Sequence, residues 1–411
     1  MGNSIEVSQT NQRGVPYNAM RIRQGCTVIS FVAIRTSEHI DSMKNNDTPG
    51  AQDNAGRSSP ALTPFEIQSA RPLPPEAKRT VESGRDTVRK ILDREDHRLM
   101  VVVGPCTIHD PAAGLEYAQR LKNLAQEVGS TLFLVMRVFL EKSLAATGWK
   151  GYINDPDLNE SFNITKGLKK ARSFLGDVNK LGVPMATEAV SPLLQQYYGD
   201  LITWTIFGVH SIESQVHREI ASGLPTPVAF KNGVDGKLES AINAIRTTGQ
   251  GHRFVTVDNH GHPCVVHTHG NRHGHLVLRG GKGFPNYDSI NVQNAEQAMR
   301  LAGLRESIVV DCSHANSYGR PELQRAVLAN VIDQIHAGNR SLIGVMLESN
   351  LLSGKQQIPS NRRQLTYGRS ITDPCMDWAT TEAVLREAAQ SLRTVLRNRL
   401  NNAPPQRLPP T

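Results

Sequence analysis

Short apolar runs alternate with amphipathic segments along most of this chain. The segments between the runs carry apolar residues at helical spacing, as in PAAGLEYAQRLKNLAQEVG and YGRPELQRAVLANVIDQIHAGN, and DWATTEAVLREAAQSLRTVLRNRL follows the last run. This alternation is typical of a parallel sheet wrapped by helices. The eight runs predicted to be strands are LMVVVGPC, TLFLVMRV, VPMATEA, ITWTIFGV, PVAFKN, HLVLRG, SIVVDCSH and SLIGVMLES.

Eight strand and helix units favour a closed barrel over an open sheet. A dinucleotide-binding open sheet would carry a glycine-rich fingerprint after its first strand, and this chain has none there. We therefore predict an α/β fold, a (β/α)8 TIM barrel, over residues 66–398. A barrel of this kind places its catalytic groups at the carboxyl ends of the strands.

The two ends of the chain lack this pattern. Residues 1–65 are polar and rich in turn formers, as in MKNNDTPGAQDNAGRSSP, so we predict a mostly disordered or regulatory extension there. Residues 399–411 include two Pro-Pro pairs, which exclude a continued helix and predict a flexible tail.

Composition and charge narrow the classes of protein. No apolar stretch approaches the roughly 20 residues that cross a membrane, so we predict no membrane association. The net charge is +8, but aromatics make up only 5% and no basic run is interleaved with them. We therefore predict no nucleic-acid partner and a small anionic ligand. The five cysteines are scattered without a CxxC pair, and no signal-peptide pattern opens the chain, so we predict a cytoplasmic protein.

Polar residues end every predicted strand, although the interiors of the runs are apolar. If the runs form a barrel, these residues share one rim. They are Cys106, Arg137, Glu188, His210, Lys231, Arg279, His314 and Glu348.

Four potential metal ligands are among the residues expected at this rim. Cys106, His314 and Glu348 end three strands, and Asp373 lies in the loop YGRSITDPC after the last one. A mixed Cys, His, Glu and Asp set suits a divalent ion such as Mn, Fe, Co or Zn. The plainer alternative makes Cys106 a buried small residue and His314 a hydrogen-bonded polar one.

Four cations form a second set at the same rim, namely Arg137, Lys142, Lys231 and Arg279. Like charges around one low-dielectric opening repel unless an anion lies between them, and a phosphate plus a carboxylate fits. Ordinary rim charge is an adequate explanation for the nearby Lys150 and Lys282, but not for all four members of the set.

Several motifs together resemble the type I DAHP synthase family over about residues 65–398. The resemblance implies a (β/α)8 enzyme that condenses phosphoenolpyruvate with erythrose 4-phosphate in the first step of the shikimate pathway. It also implies an extra hairpin around residues 259–276 and a homodimer or homotetramer. The matching motifs are GPCTIHD, GWKGYINDP, ESQVHREIASG, FKNGVDG, LRGGKGFPNY, DCSHANS, GVMLES and YGRSITD.

By this resemblance, the metal ligands are Cys106, His314, Glu348 and Asp373. Lys142, Cys106 and His314 would act in catalysis, with Lys142 supplying a proton to the new alkoxide. The residues expected to bind substrate are Arg137, Lys142, Glu188, Lys231, Arg279 and His210.

The chain departs from the family pattern at two phosphate contacts. Where the family reads EKPRTT and grips the acceptor phosphate with Arg and Thr, this chain reads EKSLAA and has Leu144 and Ala145. Where the family has Arg-Thr-Thr and the Arg binds the donor phosphate, this chain has His210, Ser211 and Ile212. Pro225 stands where the family places a small residue linked to feedback control, so that control is expected to be altered or absent.

Three hypotheses follow from these departures. The leading one is a diverged enzyme that uses phosphoenolpyruvate with a different, less charged aldehyde, as in specialised metabolism. The second is an ordinary DAHP synthase that holds the acceptor phosphate with other groups, such as Lys150, Arg320 or Arg369. The third is a non-catalytic regulatory paralogue, against which the complete set of metal ligands argues.

Overall fold

The structure is a computed structural model that describes residues 61–143 and 148–401. The predicted extension over residues 1–65 therefore lies almost wholly outside the described residues, as do Leu144 and Ala145 and most of the tail. The strands are β1 Leu99–Gly104, β2 Leu132–Arg137, β3 Met185–Glu188, β4 Trp204–Phe207, β5 Val228–Lys231, β6 Arg253–Val257, β7 Pro263–His267, β8 Gly274–Leu278, β9 Ile308–Asp311 and β10 Leu342–Glu348. The helices are α1 Pro64–Ala70, α2 Pro75–Leu92, α3 Pro111–Val128, α4 Ile164–Lys180, α5 Gln195–Tyr198, α6 Gln215–Gly223, α7 Glu239–Thr248, α8 Ser289–Leu301, α9 Gln324–His336 and α10 Trp378–Asn401.

Eight parallel strands close into a barrel in the order β1-β10-β9-β8-β5-β4-β3-β2. Each of the eight predicted runs contributes one strand, and a helix follows each strand along the chain. The predicted (β/α)8 barrel is therefore confirmed. Strands β6 and β7 form a separate antiparallel pair where the resemblance implies a hairpin.

Strand side chains alternate between two apolar layers. On β1, Leu99, Val101 and Val103 belong to the core between the barrel and its helices, whereas Met100 and Val102 belong to the core inside the barrel. Both faces of a strand are buried in such a fold, so its sequence is a continuous apolar run. Polar groups are then excluded from the strand interiors and accumulate at the strand ends.

Local capping signals set the starts of the helices. Asp110 caps α3 by accepting a hydrogen bond from the main-chain N–H of Ala112, and Pro111 occupies the first turn. Thr63 and Glu66 form a reciprocal capping box at α1, which begins two residues before the predicted barrel boundary at residue 66. Helix α10 continues to Asn401, two residues past the predicted start of the tail.

Within residues 61–143 and 148–401, the structure contains no helix that is both long enough and apolar enough to cross a membrane.

Candidate active site

The carboxyl rim of the barrel carries all eight residues that the sequence places there. Arg137, Glu188, Lys231 and Glu348 are the last residues of their strands, and Arg279 immediately follows β8. Cys106 lies two residues past β1 and His210 and His314 lie three residues past β4 and β9.

Three of the four predicted metal ligands converge at this rim. The ligand atoms of Cys106, Glu348 and Asp373 all lie within 4.8 Å of one another. His314 is close but outside that group, because its Nε2 lies 3.9 Å from Oε1 of Glu348. The structure thus brings the predicted set together, with His314 at its edge.

The chemistry of this cluster fits a divalent ion. Oε1 of Glu348 is buried and, apart from its ion pair with Arg137, accepts no hydrogen bond from the described residues, so a lone pair remains for a metal. The Cys106 thiol donates a hydrogen bond to Oδ2 of Asp373 over 3.2 Å. Burial, reinforced by the charge of Glu348, raises the pKa of Cys106 to about 12. A metal would therefore have to displace the thiol proton as it binds.

Arg137 is immobilised beneath the cluster. Its guanidinium lies 2.9 Å from Oε1 of Glu348 and donates to the main-chain oxygens of Pro105 and Cys106. The guanidinium carbon also lies 3.7 Å from the centre of the Phe139 ring. With 2% of its side chain exposed, Arg137 loses little further conformational entropy when it binds an anion. Its position suits the orientation of a charged substrate.

Lys142 connects the cation set to the metal cluster. Its ammonium donates to Oδ2 of Asp373 over 2.7 Å and lies 3.5 Å from the Cys106 sulfur. Burial opposes the charge on both partners, but their mutual attraction outweighs it and holds the pKa of Asp373 well below its ordinary value. The pKa of Lys142 is raised by Cys106, Asp373 and Glu348 despite burial. Lys142 therefore carries its proton at neutral pH.

Asp311 is a functional residue that the sequence reasoning missed. This fully buried carboxylate lies 3.0 Å from the ammonium of Lys231 and 2.9 Å from Nδ1 of His314. Burial opposes its charge, but His314 and Lys231 hold the pKa of Asp311 well below its ordinary value. Hydrogen bonds from the main chain and hydroxyl of Ser313 fix the carboxylate further. Asp311 thus positions one predicted substrate cation and one predicted metal ligand.

The signal for Asp311 was present in the motif DCSH. The sequence pattern predicts a strand that ends at His314. In the structure β9 ends at Asp311, and a 3-10 turn over His314–Ser317 follows. His314 has a φ of 55°, a left-handed conformation that is strained for a residue with a side chain. The Asp311 and Ser313 contacts hold His314 in that conformation.

Asparagine amides set the backbone around Arg279. Asn232 accepts from the main-chain N–H of Arg279 and donates to the main-chain oxygen of Gly280. Asn286 donates to Asn232 and accepts from the N–H of Gly280, and Asn316 accepts from the N–H of Asn286. These buried amides join the ends of β5, β8 and β9. Among the described residues, the structure gives the Arg279 side chain no ion pair.

Two carboxyl groups lie beside the cations. A Cβ at Gly208 would approach Oε1 of Glu188 to 2.0 Å, so a larger residue there would force the Glu188 carboxyl group to move. Glu141 is buried, and its carboxyl accepts from the N–H of Ser191 over 3.2 Å. Burial, with a smaller contribution from Glu188, raises the pKa of Glu141 to about 7.

The second departure from the family pattern lies on the turn after β4. His210 is exposed there, and Ile212 is 1% exposed. The buried hydroxyl of Ser211 donates to the main-chain oxygen of Gly208 over 3.1 Å. An aliphatic side chain at residue 212 cannot bind phosphate by hydrogen bonds.

The arrangement of a cysteine, carboxylates and cations at the rim of a (β/α)8 barrel defines a class of enzyme that handles anionic substrates with a metal. Comparison with known proteins is more specific. The DAHP synthetase I family model matches residues 74–386. The chain therefore belongs to the type I DAHP synthase family.

Individual relatives agree with this assignment. The Tyr-sensitive phospho-2-dehydro-3-deoxyheptonate aldolase of Salmonella typhimurium is 48% identical over 331 residues, which are 80% of this chain and 93% of that protein. The phospho-2-dehydro-3-deoxyheptonate aldolase AMT16 of Alternaria alternata is 41% identical over 88% of this chain and 98% of that protein. A solved phospho-2-dehydro-3-deoxyheptonate aldolase from Francisella tularensis superposes with a TM-score of 0.81 at 38% identity, covering 83% of this chain and 99% of that one. The chain is a DAHP synthase-like enzyme that forms a carbon–carbon bond.

Proposed function

We propose that the chain condenses phosphoenolpyruvate with erythrose 4-phosphate and releases inorganic phosphate. The observation that carries this proposal is the convergence of Cys106, Glu348 and Asp373 with the buried cations Arg137 and Lys142 at one rim. The names of the relatives favour this reaction over the different acceptor that the sequence departures predict. The order of our first two hypotheses is therefore reversed.

The residues at the rim have distinct tasks in this proposal. Arg137 and Arg279 hold the anionic ends of phosphoenolpyruvate so that its C3 faces the aldehyde carbon. As the new carbon–carbon bond forms, the protonated Lys142 gives its proton to the developing alkoxide. Water then adds at C2 and phosphate leaves with the electron pair of the broken C–O bond.

Metal binding belongs to the same proposal. Cys106, Glu348, Asp373 and His314 would hold the ion, and a bound divalent ion would polarise the aldehyde oxygen. Because Glu348 and Asp373 pair with Arg137 and Lys142, binding of a cation by these carboxylates leaves the two side chains more available to the donor's negative charge. We propose Mn, Fe, Co or Zn as the ion, and titration of the metal-free protein with each identifies the preferred one.

The test is release of phosphate from phosphoenolpyruvate by the Mn-loaded protein with erythrose 4-phosphate. We expect one phosphate per sugar consumed, complete loss with a chelator, and recovery when metal is returned. Phosphoenolpyruvate without an aldehyde is the control for simple hydrolysis. Release with no aldehyde present, or none with erythrose 4-phosphate, would contradict the proposal.

A second candidate is condensation with an aldehyde that lacks a phosphate group. Leu144 and Ala145 favour it, since neither of them can replace the hydroxyl and guanidinium contacts that the family pattern makes to the acceptor phosphate. Loss of a charge-assisted contact to phosphate is expected to weaken acceptor binding by roughly a hundredfold or more. The same phosphate assay, run with a panel of uncharged aldehydes, compares the two candidates directly.

A double variant sharpens that comparison. Leu144→Arg with Ala145→Thr should increase turnover with erythrose 4-phosphate if only this part of the acceptor site has changed. Leu193→Arg, at an exposed position on the turn before α5, controls for the added charge. No gain from the double variant means that the acceptor phosphate, if one is bound, is held elsewhere.

The oligomeric state and the third hypothesis are tested by measurements that do not require enzymatic turnover. Light scattering tests the proposed homodimer or homotetramer. Failure of the protein to bind any divalent metal would favour the third hypothesis, a non-catalytic regulatory paralogue.

A further inference from the structure

A second group of cations lies at the opposite, amino-terminal end of the barrel. Arg94 precedes β1, Arg305 precedes β9 and Arg340 precedes β10, and these three strands are neighbours in the order β1-β10-β9. Arg399 lies in the last turn of α10 and donates to the main-chain oxygen of Leu342, the first residue of β10. We call these four residues the amino-terminal arginine cluster.

Hydrogen bonds bring the members of the cluster together. Arg94 donates over 2.7 Å to the main-chain oxygen of Glu306, the residue next to Arg305. Arg305 in turn donates over 3.0 Å to the carboxylate of Asp93, the residue next to Arg94.

Arg399 completes the arrangement, because its second nitrogen donates to the main-chain oxygen of Asn339, the residue next to Arg340. The guanidinium groups of Arg94, Arg305 and Arg399 are thus each held against a chain segment that carries another member of the cluster.

The acidic groups nearby do not balance these four charges. Asp93 is shared between Arg305, Arg272 and His273. Glu306 pairs through its carboxylate with Arg300, outside the cluster. Two carboxylates, each also engaged by a cation outside the cluster, therefore face four arginines.

The lowered pKa values of two arginines in the cluster agree with this excess of positive charge. Burial and repulsion by Arg305 and Arg340 lower the pKa of Arg94 to about 10, against a smaller opposing effect of Glu306. Burial and repulsion by Arg94 and Arg340 lower the pKa of Arg399 to about 10 as well. Partly desolvated cations in this state gain from an added anion.

Arg94 has an unusual backbone conformation for an arginine. Its φ of 64° is in the left-handed region, where glycine is favoured and other residues are strained. A purely structural role as a helix end would be served better by glycine. Glycine would lack the guanidinium, which here donates to the main-chain oxygen of Glu306.

Arg94 and Arg399 stabilise nearby loops through hydrogen bonds to main-chain oxygens. This structural role does not explain Arg340. Arg340 is exposed, and no hydrogen bond or ion pair joins it to the described residues. Its charge adds to the repulsion and stabilises nothing that the structure shows. A role in binding accounts for it.

We propose that the amino-terminal arginine cluster binds a phosphate group that carries at least two negative charges, either free or on a small metabolite. Arginine suits this ligand because its planar fork donates two hydrogen bonds to a phosphate. The site lies at the end of the barrel away from the catalytic rim and does not depend on the proposed reaction.

Calorimetric titration with pyrophosphate tests the proposal on the full-length protein. The buffer contains no phosphate or sulfate, and sodium chloride keeps the ionic strength constant so that general screening is equal throughout. Arg340→Gln removes an exposed charge without touching the fold or the catalytic rim. Arg393→Gln, at an exposed position on α10, is the matched control.

We expect Arg340→Gln to weaken the binding of pyrophosphate at one class of sites by roughly tenfold or more. Arg393→Gln should leave the affinity of every class of pyrophosphate sites unchanged. The catalytic rim is the same in all three proteins, so its own phosphate binding cancels in the comparison. Identical isotherms for the three proteins would overturn the proposal. Inorganic phosphate and a sugar phosphate, titrated in the same way, distinguish a free from a carried phosphate group.

Arg94→Gly provides an independent check, since glycine adopts the left-handed conformation without strain. We expect it to lose the same class of sites. Unchanged pyrophosphate binding by a folded Arg94→Gly protein would also overturn the proposal.

Discussion

The two ends of this barrel use the same kinds of cation with different partners. At the carboxyl end, Arg137, Lys142 and Lys231 each lie within 3.0 Å of a carboxylate. At the amino-terminal end, Arg305 pairs with Asp93, but Arg94 and Arg399 donate to main-chain oxygens, which carry only partial charge.

The difference shows what an ion pair does for a site. A carboxylate fixes the position and protonation of a neighbouring cation but competes with an anionic substrate for it. A main-chain oxygen fixes position while leaving the positive charge largely uncompensated. The carboxyl end is thus suited to metal-assisted chemistry, and the amino-terminal end to the binding of an anion.

The largest expected effect comes from breaking the Lys142–Asp373 pair. Lys142→Met removes the proposed proton donor and a charge beside the metal ligands, and we expect turnover to fall by roughly 10⁴-fold. Steady-state rates at saturating phosphoenolpyruvate measure it. Lys169→Met, at an exposed lysine on α4, is the control. A rate within tenfold of the parent would show that Lys142 neither binds nor donates.

Removal of Asp311 tests the other buried pair through stability. Asp311→Asn leaves the buried Lys231 without its counter-charge, and we expect the free energy of unfolding to fall by about 4 kcal/mol. Urea denaturation with the metal removed measures the change. Asp258→Asn, on the loop of the β6–β7 hairpin, should cost far less. A loss under about 1 kcal/mol would mean that Lys231 finds another partner.

Glu141 should make the carboxyl end more stable in acid. Its pKa is about 7 in the folded protein against an ordinary 4.5, so its stabilising effect is complete below pH 4.5 and is lost as the pH rises through 7. We expect the free energy of unfolding of Glu141→Gln, relative to the parent, to increase by roughly 3 kcal/mol between pH 4.5 and 8. Parallel stability curves for the two proteins would rule out this titration.

His275, inside the barrel on β8, should have the opposite pH dependence. It accepts a hydrogen bond from Trp204 on one nitrogen and donates to the main-chain oxygen of His273 from the other, so it is neutral. Burial lowers the pKa of His275 to about 4 from 6.5. Its contribution is present above pH 6.5 and is lost as the pH falls through 4, by roughly 3 kcal/mol.

The measurement for His275 is the free energy of unfolding as a function of pH. The acid-side slope should disappear in His275→Gln and persist in His262→Gln, an exposed histidine on the hairpin. An unchanged slope in His275→Gln would assign the acid sensitivity to another group.

The smallest effect is expected at a surface ion pair whose side chains are exposed, unlike the buried charged side chains at the two ends of the barrel. Arg325 and Glu387 are 3.0 Å apart with side chains 61% exposed. Arg325→Gln should change the free energy of unfolding by less than about 1 kcal/mol, and high salt should abolish the difference. A larger change measured by urea denaturation would mean that the pair belongs to a network.

Sequence patterns were sufficient for the barrel because its strands are buried on both faces. A run such as LMVVVGPC has no exposed face, and its apolar letters alone predict a strand. The strand ends were predicted less well. The run SIVVDCSH predicts a strand that ends at His314, whereas β9 ends at Asp311, which the sequence pattern does not single out.

The sequence identified the four cations at the carboxyl rim, but it did not show whether they are paired with carboxylates. We argued that four cations at one rim require an anionic ligand to relieve their repulsion. The structure pairs Arg137, Lys142 and Lys231 with Glu348, Asp373 and Asp311, so protein carboxylates relieve much of it. The sequence does not show this pairing, because the pairing depends on contacts between strands that are far apart in the chain.

The sequence by itself determined the (β/α)8 architecture, the family, and the identity of the polar residues at the carboxyl rim. These follow from periodicity and local motifs, which short segments carry on their own. Only the tertiary structure decided which charges are paired, that Asp311 holds both Lys231 and His314, and that Arg94, Arg305, Arg340 and Arg399 meet at the other end. Closure of the barrel makes neighbours of distant segments, and electrostatic interactions depend on distance in space.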